Sequence, residues 1–202
     1  DDNALHVVQI CDTQLGFGCY EHDKSTFQLA VEQINSQKPD FVVICGDLVN
    51  DFNSDQAWSD FLAIKAGLKC PCHCAPGNHD VGNEPTAKSL ARYHRLIGPY
   101  TFESKGFQIV VVNTQLWKSP LSGESEKHEA WVRSTLKTAH EKERPVIIVS
   151  HIPLFVHKAD EGDEYFSLPP AKRAELLDLY ETSGVKAVLA GHTHRQSLRM
   201  HK

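Results

Sequence analysis

The chain has 202 residues, 41% of them hydrophobic and 23% charged, with a formal net charge of -5. Length and balance suit a single soluble globular domain with a sizeable core. No apolar stretch approaches the roughly 20 residues a membrane helix requires, and the negative balance gives no general attraction to nucleic acid or an anionic membrane.

Leu5 to Cys11, with Val7, Val8 and Ile10, reads as the first strand, and the loop after it carries Asp12-Thr13-Gln14. Phe27, Ala30, Val31 and Ile34 recur at helical spacing, behind a cap at Asp23 or Ser25. Phe41 to Cys45 is a short apolar run between Pro39-Asp40 and Gly46, the pattern of a buried strand. Asp47 then stands at the mouth of a sheet, where α/β proteins build their sites. Asn53-Ser54-Asp55 predicts a second helix cap ahead of the stripe Trp58, Phe61, Leu62 and Ile64. A third strand over Lys69 to Ala75 leads to Gly77-Asn78-His79-Asp80, and a helix near Ala87 to Leu96 leads to Gly98-Pro99.

Tyr100 to Phe102 and Phe107 to Asn113 flank Ser104-Lys105-Gly106, a hairpin signal. Trp117 to Glu126 reads as a loop before a helix carrying Trp131, Val132 and Leu136. Pro145 to Val149 is a strand ending at Ser150-His151. Residues 157–169 form a polar, acidic loop of the kind that covers or borders a site. A helix over Pro170 to Tyr180, with Leu176, Leu177 and Tyr180 inward, precedes a last strand, Val185 to Ala190, and then Gly191-His192-Thr193-His194. Strand–helix alternation around one hairpin predicts an α/β fold with mixed sheets, as one domain over residues 1–202.

Cys70-Pro71-Cys72-His73-Cys74 invites a metal reading, but alternate strand residues face opposite sides and cannot all converge. These are expected to be strand thiols, with His73, His6, His22, His94, His128, His140, His157 and His201 structural. The strand-end clusters differ. They offer Asp12, Gln14, Asp47, Asn78, His151, His192 and His194, a set of oxygen and imidazole donors suited to two divalent ions sharing one carboxylate. Two ions roughly 3.5–4 Å apart can clamp a phosphate and acidify a water. His79, beside a ligand but not needed as one, is placed to protonate a leaving alkoxide.

The ordered motifs Asp-x-His/Gln, Gly-Asp, Gly-Asn-His-Asp/Glu, His and Gly-His-x-His resemble those of the calcineurin-like metallophosphoesterases. Here they stand as Asp12-Thr13-Gln14, Gly46-Asp47, Gly77-Asn78-His79-Asp80, His151 and Gly191-His192-Thr193-His194. The resemblance implies an α-β-β-α sandwich of two mixed sheets with a dimetal centre at the sheet edges. It assigns Asp12, Gln14, Asp47 and His194 to one ion, and Asp47, Asn78, His151 and His192 to the other. It makes Asn78 and His79 the catalytic pair, with His79 contacting the phosphate. The ions expected are Mn, Fe, Zn or Mg. The substrate expected is a phosphorylated small molecule or protein, with neither nucleic acid nor membrane as partner.

Two departures bear on chemistry. Gln14 stands where most of the family has His; its amide oxygen is a harder, weaker donor, favouring Mn or Mg over Zn. This Gln, with the Leu168-Pro169-Pro170 helix start, resembles a branch described as protein serine/threonine phosphatases. Asn50 stands where many members have an Asp that orients the catalytic His, with Asp51 or Asp80 as alternative supports. Monoester hydrolysis by a metal-bound hydroxide is therefore the first reading, with diester hydrolysis of nucleotides its rival. A scaffold without turnover is the other alternative, which a retained His79 argues against. Only Arg195 to Lys202 follow the last motif, so the second sheet is either short or continues beyond this chain. A chain beginning at Asp1 with no visible signal peptide favours a cytoplasmic reading, with export and processing as the alternative.

Overall fold

A computed structural model describes residues 4–97 and 100–201. Gly98-Pro99 lies outside the described residues. The first sheet is ordered β1 (Val7–Ile10), β2 (Phe41–Cys45) and β3 (Cys72–Ala75). Both of its pairings are parallel, because helical crossovers α1 (Tyr20–Gln37) and α2 (Asp55–Lys65) join consecutive strands. Two further helices follow, the single turn α3 (Asn78–Val81) and α4 (Ala87–Leu96).

The second sheet is ordered β4 (Tyr100–Ser104), β5 (Phe107–Val111), β6 (Val146–Val149) and β7 (Val185–Leu189). Mixed pairing is confined to it: β4 and β5 form the antiparallel hairpin, and the other pairs are parallel. Its helices are the short α5 (Gln115–Lys118), α6 (Glu124–Glu141) and α7 (Pro170–Thr182). No helix among the described residues is long and apolar enough to cross a membrane.

Strand alternation divides the apolar residues into three layers. Phe41, Val43 and Cys45 of β2 meet Ile109, Val111 and Val149 of the second sheet in a core between the sheets. Ile44 and Cys74 face the other way, toward Phe27, Val31, Trp58 and Phe61 of α1 and α2. Val110, Val146 and Ile148 pack on Val132, Leu136, Leu176 and Tyr180 of α6 and α7. The result is the α-β-β-α sandwich the motifs imply, with β2 buried along its whole length.

Ser54 caps α2 as expected, its hydroxyl accepting from the Ala57 amide at 3.1 Å. Helix α1 starts earlier than expected, at Tyr20 behind Cys19. Asp23 lies inside its first turn, where its carboxylate reaches back to the Gly16 and Gly18 amides at 3.1 and 3.3 Å. It holds the preceding loop rather than beginning the helix. The stretch expected as a loop from Trp117 to Glu126 is bounded by helix on both sides, because α5 and α6 overlap its ends. Leu177 is only half-buried, and Leu176 and Tyr180 carry the packing of α7.

The cysteines near β3 are free thiols. Cys72 and Cys74 face the α1–α2 layer, while His73 points between the sheets and stacks on Phe102 with ring centroids 3.6 Å apart. His128 is also structural: its Nε2 accepts from the Asn113 amide at 3.0 Å, and burial lowers its pKa to about 4.

The inter-sheet core should be the most sensitive layer. Phe41 is 2% exposed and meets Phe102 edge-on at 5.2 Å. Phe41→Ala is expected to destabilise by about 3–4 kcal/mol through the cavity left behind. Urea unfolding checks it, with a lowered midpoint at unchanged slope.

Candidate metal centre

Five of the eight non-glycine residues described with positive φ are motif residues: Asp12, Gln14, Asp47, His192 and His194, at 53°, 39°, 52°, 71° and 50°. Left-handed backbone is costly for side chains with a Cβ and persists where the surroundings enforce it. Here backbone bonds continue the sheets into the loops. Asp12 N–H donates to Gly46 O at 3.1 Å, Gln14 N–H to Asp47 O at 2.8 Å, and Gly191 N–H to His151 O at 2.9 Å. The buried Asp80 carboxylate fastens two of these loops together, accepting from the Gly77, Leu48 and Val49 amides.

All the residues singled out in the motifs reach one region. Asp47, His151 and His192 offer ligand atoms that all lie within 4.8 Å of one another, and so do Asp12, Asp47 and His194. Asp47, 1% exposed, belongs to both groups. Asn78 joins the first group, its Oδ1 3.1 Å from His151 Nε2. Gln14, buried, lines the same cleft as Asp47, Asn78, His79, His192 and His194, a space of about 360 Å³.

The donor atoms suit cations. His151 Nδ1 lies 2.7 Å from the Cys45 carbonyl, to which it donates, so the neutral ring presents Nε2 as a lone pair. Around that Nε2 stand His192 Nδ1 at 3.1 Å and Asp47 Oδ2 at 3.3 Å, besides the Asn78 oxygen. His192 Nε2 is buried without a hydrogen-bond partner. Burial pushes the Asp47 carboxyl up, and the His151 ring beside it outweighs this, leaving it below its usual value. His151 is pulled down by burial and more strongly up by Asp47 and Asp12, to about 9, whereas burial and then His151 hold His192 down at about 4. Without a cation, the cluster keeps a proton between Asp47 and His151. A divalent ion would replace that proton and turn crowded lone pairs into ligands. The residues present therefore fit two ions sharing Asp47.

His79 sits half-buried on α3, its amide donating to Asp47 Oδ1 at 2.9 Å. Its Nδ1 lies 2.8 Å from the Asn50 backbone carbonyl, which fixes Nδ1 as the protonated nitrogen and leaves Nε2 for the cleft. The Asn50 side chain is engaged elsewhere, accepting from Gln14 Nε2 at 3.3 Å. Asp51 accepts from the Asn53 amide and Asp80 from the Gly77, Leu48 and Val49 amides, and the His79 ring is bonded to the Asn50 carbonyl instead of either. With its amide nitrogen on Asn50, Gln14 keeps Oε1 for a ligand role.

Four cleft residues were not singled out from sequence: Phe17, Tyr165, Phe166 and Arg195. Tyr165 and Phe166 come from the 157–169 loop, with ring centroids 5.0 and 5.5 Å from His192. This loop is fastened from within. Arg173, 1% exposed, donates to the Ala159, Glu161, Gly162 and Leu168 carbonyls. Lys118 Nζ donates to the Glu164 and Ser167 carbonyls at 2.5 and 2.7 Å. Glu161 accepts from the Val156, His157 and Lys158 amides, which outweigh burial and hold its carboxyl down at about 2.

The calcineurin-like phosphoesterase family model matches residues 5–196. The chain is 32% identical over 192 residues to a Bos taurus serine/threonine-protein phosphatase CPPED1, covering 88% of this chain and 61% of that protein. A Danio rerio protein of the same name is 32% identical over 219 residues, covering 96% and 71%. The chain thus spans about three-fifths of the Bos taurus relative. Among solved structures, a dimetal phosphatase from Danio rerio superposes with a TM-score of 0.65 at 18% identity, covering 94% of this chain and 82% of that one.

Gly77 tests the geometry. A Cβ there would sit 2.1 Å from Asp47 Oδ1 and 2.3 Å from its amide nitrogen. Gly77→Ala must displace Asp47, and should weaken Mn binding by tenfold or more, in the range seen when groups supporting metal ligands are removed. Calorimetric titration of the metal-stripped protein checks it.

Proposed function

Because the chain belongs to the calcineurin-like phosphoesterase family, we propose that it hydrolyses phosphate monoesters with the help of two divalent ions, phosphoserine and phosphothreonine being candidate substrates. The observation that carries this reading is Asp47 shared by two three-residue ligand groups, with His79 hydrogen-bonded to it. Asp12, Gln14, Asp47 and His194 would hold one ion, and Asp47, Asn78, His151 and His192 the other. Bound there, the ions supply Lewis acidity to the phosphoryl group.

The protein's own groups do the rest. Asn78 and His79 begin a helical turn directly behind Gly77, so their positions are coupled to the carboxylate they flank. The Asn50 carbonyl keeps the His79 ring oriented, and Nε2, on the cleft side, is the atom from which the doubly protonated ring would deliver a proton to the departing alkoxide, leaving the neutral ring with its remaining proton on Nδ1. A carbonyl orients an imidazole as a carboxylate would, without stabilising its charge as strongly. The name shared by the Bos taurus and Danio rerio relatives and the modest acidic balance both favour a phosphorylated protein or small molecule over nucleic acid.

His79→Ala is expected to lower kcat by about 10²–10⁴-fold, the usual contribution of a positioned proton donor. Mn affinity should stay within a few-fold, which steady-state kinetics beside calorimetry would check. Unchanged turnover would remove the proton-donor role. No metal-dependent turnover of an aryl phosphate monoester by the folded protein would overturn the enzyme reading.

Gln14 sets metal choice in this proposal, since amide oxygen favours harder ions than imidazole does. Gln14→His is expected to raise affinity for Zn relative to Mn by about tenfold, or about 1.4 kcal/mol, because it exchanges an amide oxygen for an imidazole nitrogen. Competitive titration of the two metals measures the ratio, and an unchanged ratio would take Gln14 out of the ligand set.

A further inference from the structure

Three large aromatic side chains stand exposed around the cleft: Phe17 at 64%, Tyr165 at 53% and Phe166 at 45%. Exposed aromatics scattered singly need no explanation, whereas several around one concave site mark contact with a ligand. Phe17 follows the first motif and meets the His194 ring edge-on, centroids 5.7 Å apart. Tyr165 and Phe166 belong to the loop before α7 and border His192 instead. The rings therefore approach the metal centre from both of its ligand groups.

Their placement is built in. Tyr165 and Phe166 pack edge-to-face with centroids 5.1 Å apart, and Asn78 Nδ2 donates to the Tyr165 hydroxyl at 3.5 Å. The loop that carries them hangs on a buried guanidinium whose bonds go to that loop's own carbonyls. Both terminal nitrogens of this guanidinium are filled by the loop, while its Nε is buried without a partner; a buried charge stays favourable only while such bonds are made, so they hold the loop in one conformation. Two aromatic rings are thus kept half-exposed at the cleft by a loop that is not free to fold them away.

We propose that Phe17, Tyr165 and Phe166 form a subsite for the alcohol half of the ester, selecting phosphate monoesters with a flat, aromatic group next to the ester oxygen. This rests on the phosphoesterase reading above and narrows it: phosphoserine and phosphothreonine, which carry no ring beside the ester oxygen, become the disfavoured candidates. The chemistry is that of offset and edge-to-face contacts, which favour a planar ring over a short alkyl chain. Arg173 acts in it as a positioning residue, through the loop.

The test uses two non-hydrolysable probes, benzylphosphonate and ethylphosphonate, titrated calorimetrically into the Mn-loaded chain. Benzylphosphonate is expected to bind about tenfold tighter, a preference within the reach of aromatic contacts. The ratio should fall toward unity in Phe17→Ala and in Phe166→Ala; being a ratio, it is insensitive to metal lost in a variant. Equal affinities in the unsubstituted protein, a preference that survives both substitutions, or binding of neither probe at millimolar concentration would each overturn the subsite. Hydrolysis of benzyl phosphate beside ethyl phosphate, both with alkoxide leaving groups, separates the two claims. Selective binding without turnover would remove the phosphoesterase reading and keep the subsite, and turnover without selectivity would do the reverse.

Discussion

A carboxylate at the end of a fully buried strand is the constraint from which the rest of this molecule follows. Asp47 is 1% exposed, and an ionised group so placed must be matched by hydrogen bonds, opposite charge or metal. The protein supplies an amide from His79 and the His151 ring, and surrounds both with further oxygen and nitrogen donors. Each comes from a different strand end, so the sandwich must bring both sheets into register before the site exists. The strained backbone at Asp12, Gln14, Asp47, His192 and His194 is the local cost of that convergence.

Small residues permit the approach. At Gly46, whose φ is +81°, a Cβ would lie 2.4 Å from the His151 ring, and Gly77 is pressed against Asp47 in the same way. These glycines are therefore part of the site although they bear no chemistry. The layers behind them are ordinary apolar packing, and α/β proteins build their sites in front of such a core, at the carboxyl ends of the strands.

Much of this was legible in the sequence because strand ends announce themselves. Phe41–Cys45 has the bounds its apolar run predicts, and Asp47, Asn78, His79, His192 and His194 after it line the cleft. What stayed hidden involved partners distant in the chain or facing an unexpected way. Asp23 looks like a helix cap and instead binds backward to Gly16 and Gly18. Asn50 divides its roles, its carbonyl serving His79 and its side chain serving Gln14, a split that residue identity cannot express. Arg173 reads as a surface residue of an ordinary helix, and only the folded loop reveals why it is buried. Tyr165 and Phe166 lie in a stretch recognisable as a bordering loop, but not which ligand they would border.

The central claim is that one carboxylate serves two ions. Electron paramagnetic resonance of the chain loaded with Mn tests it most directly. Two Mn per chain, with the broadened signal of exchange-coupled ions in the native protein and an uncoupled signal in Asp47→Ala, is the expected result. A single ion per chain, or two that remain uncoupled in the native protein, would contradict it.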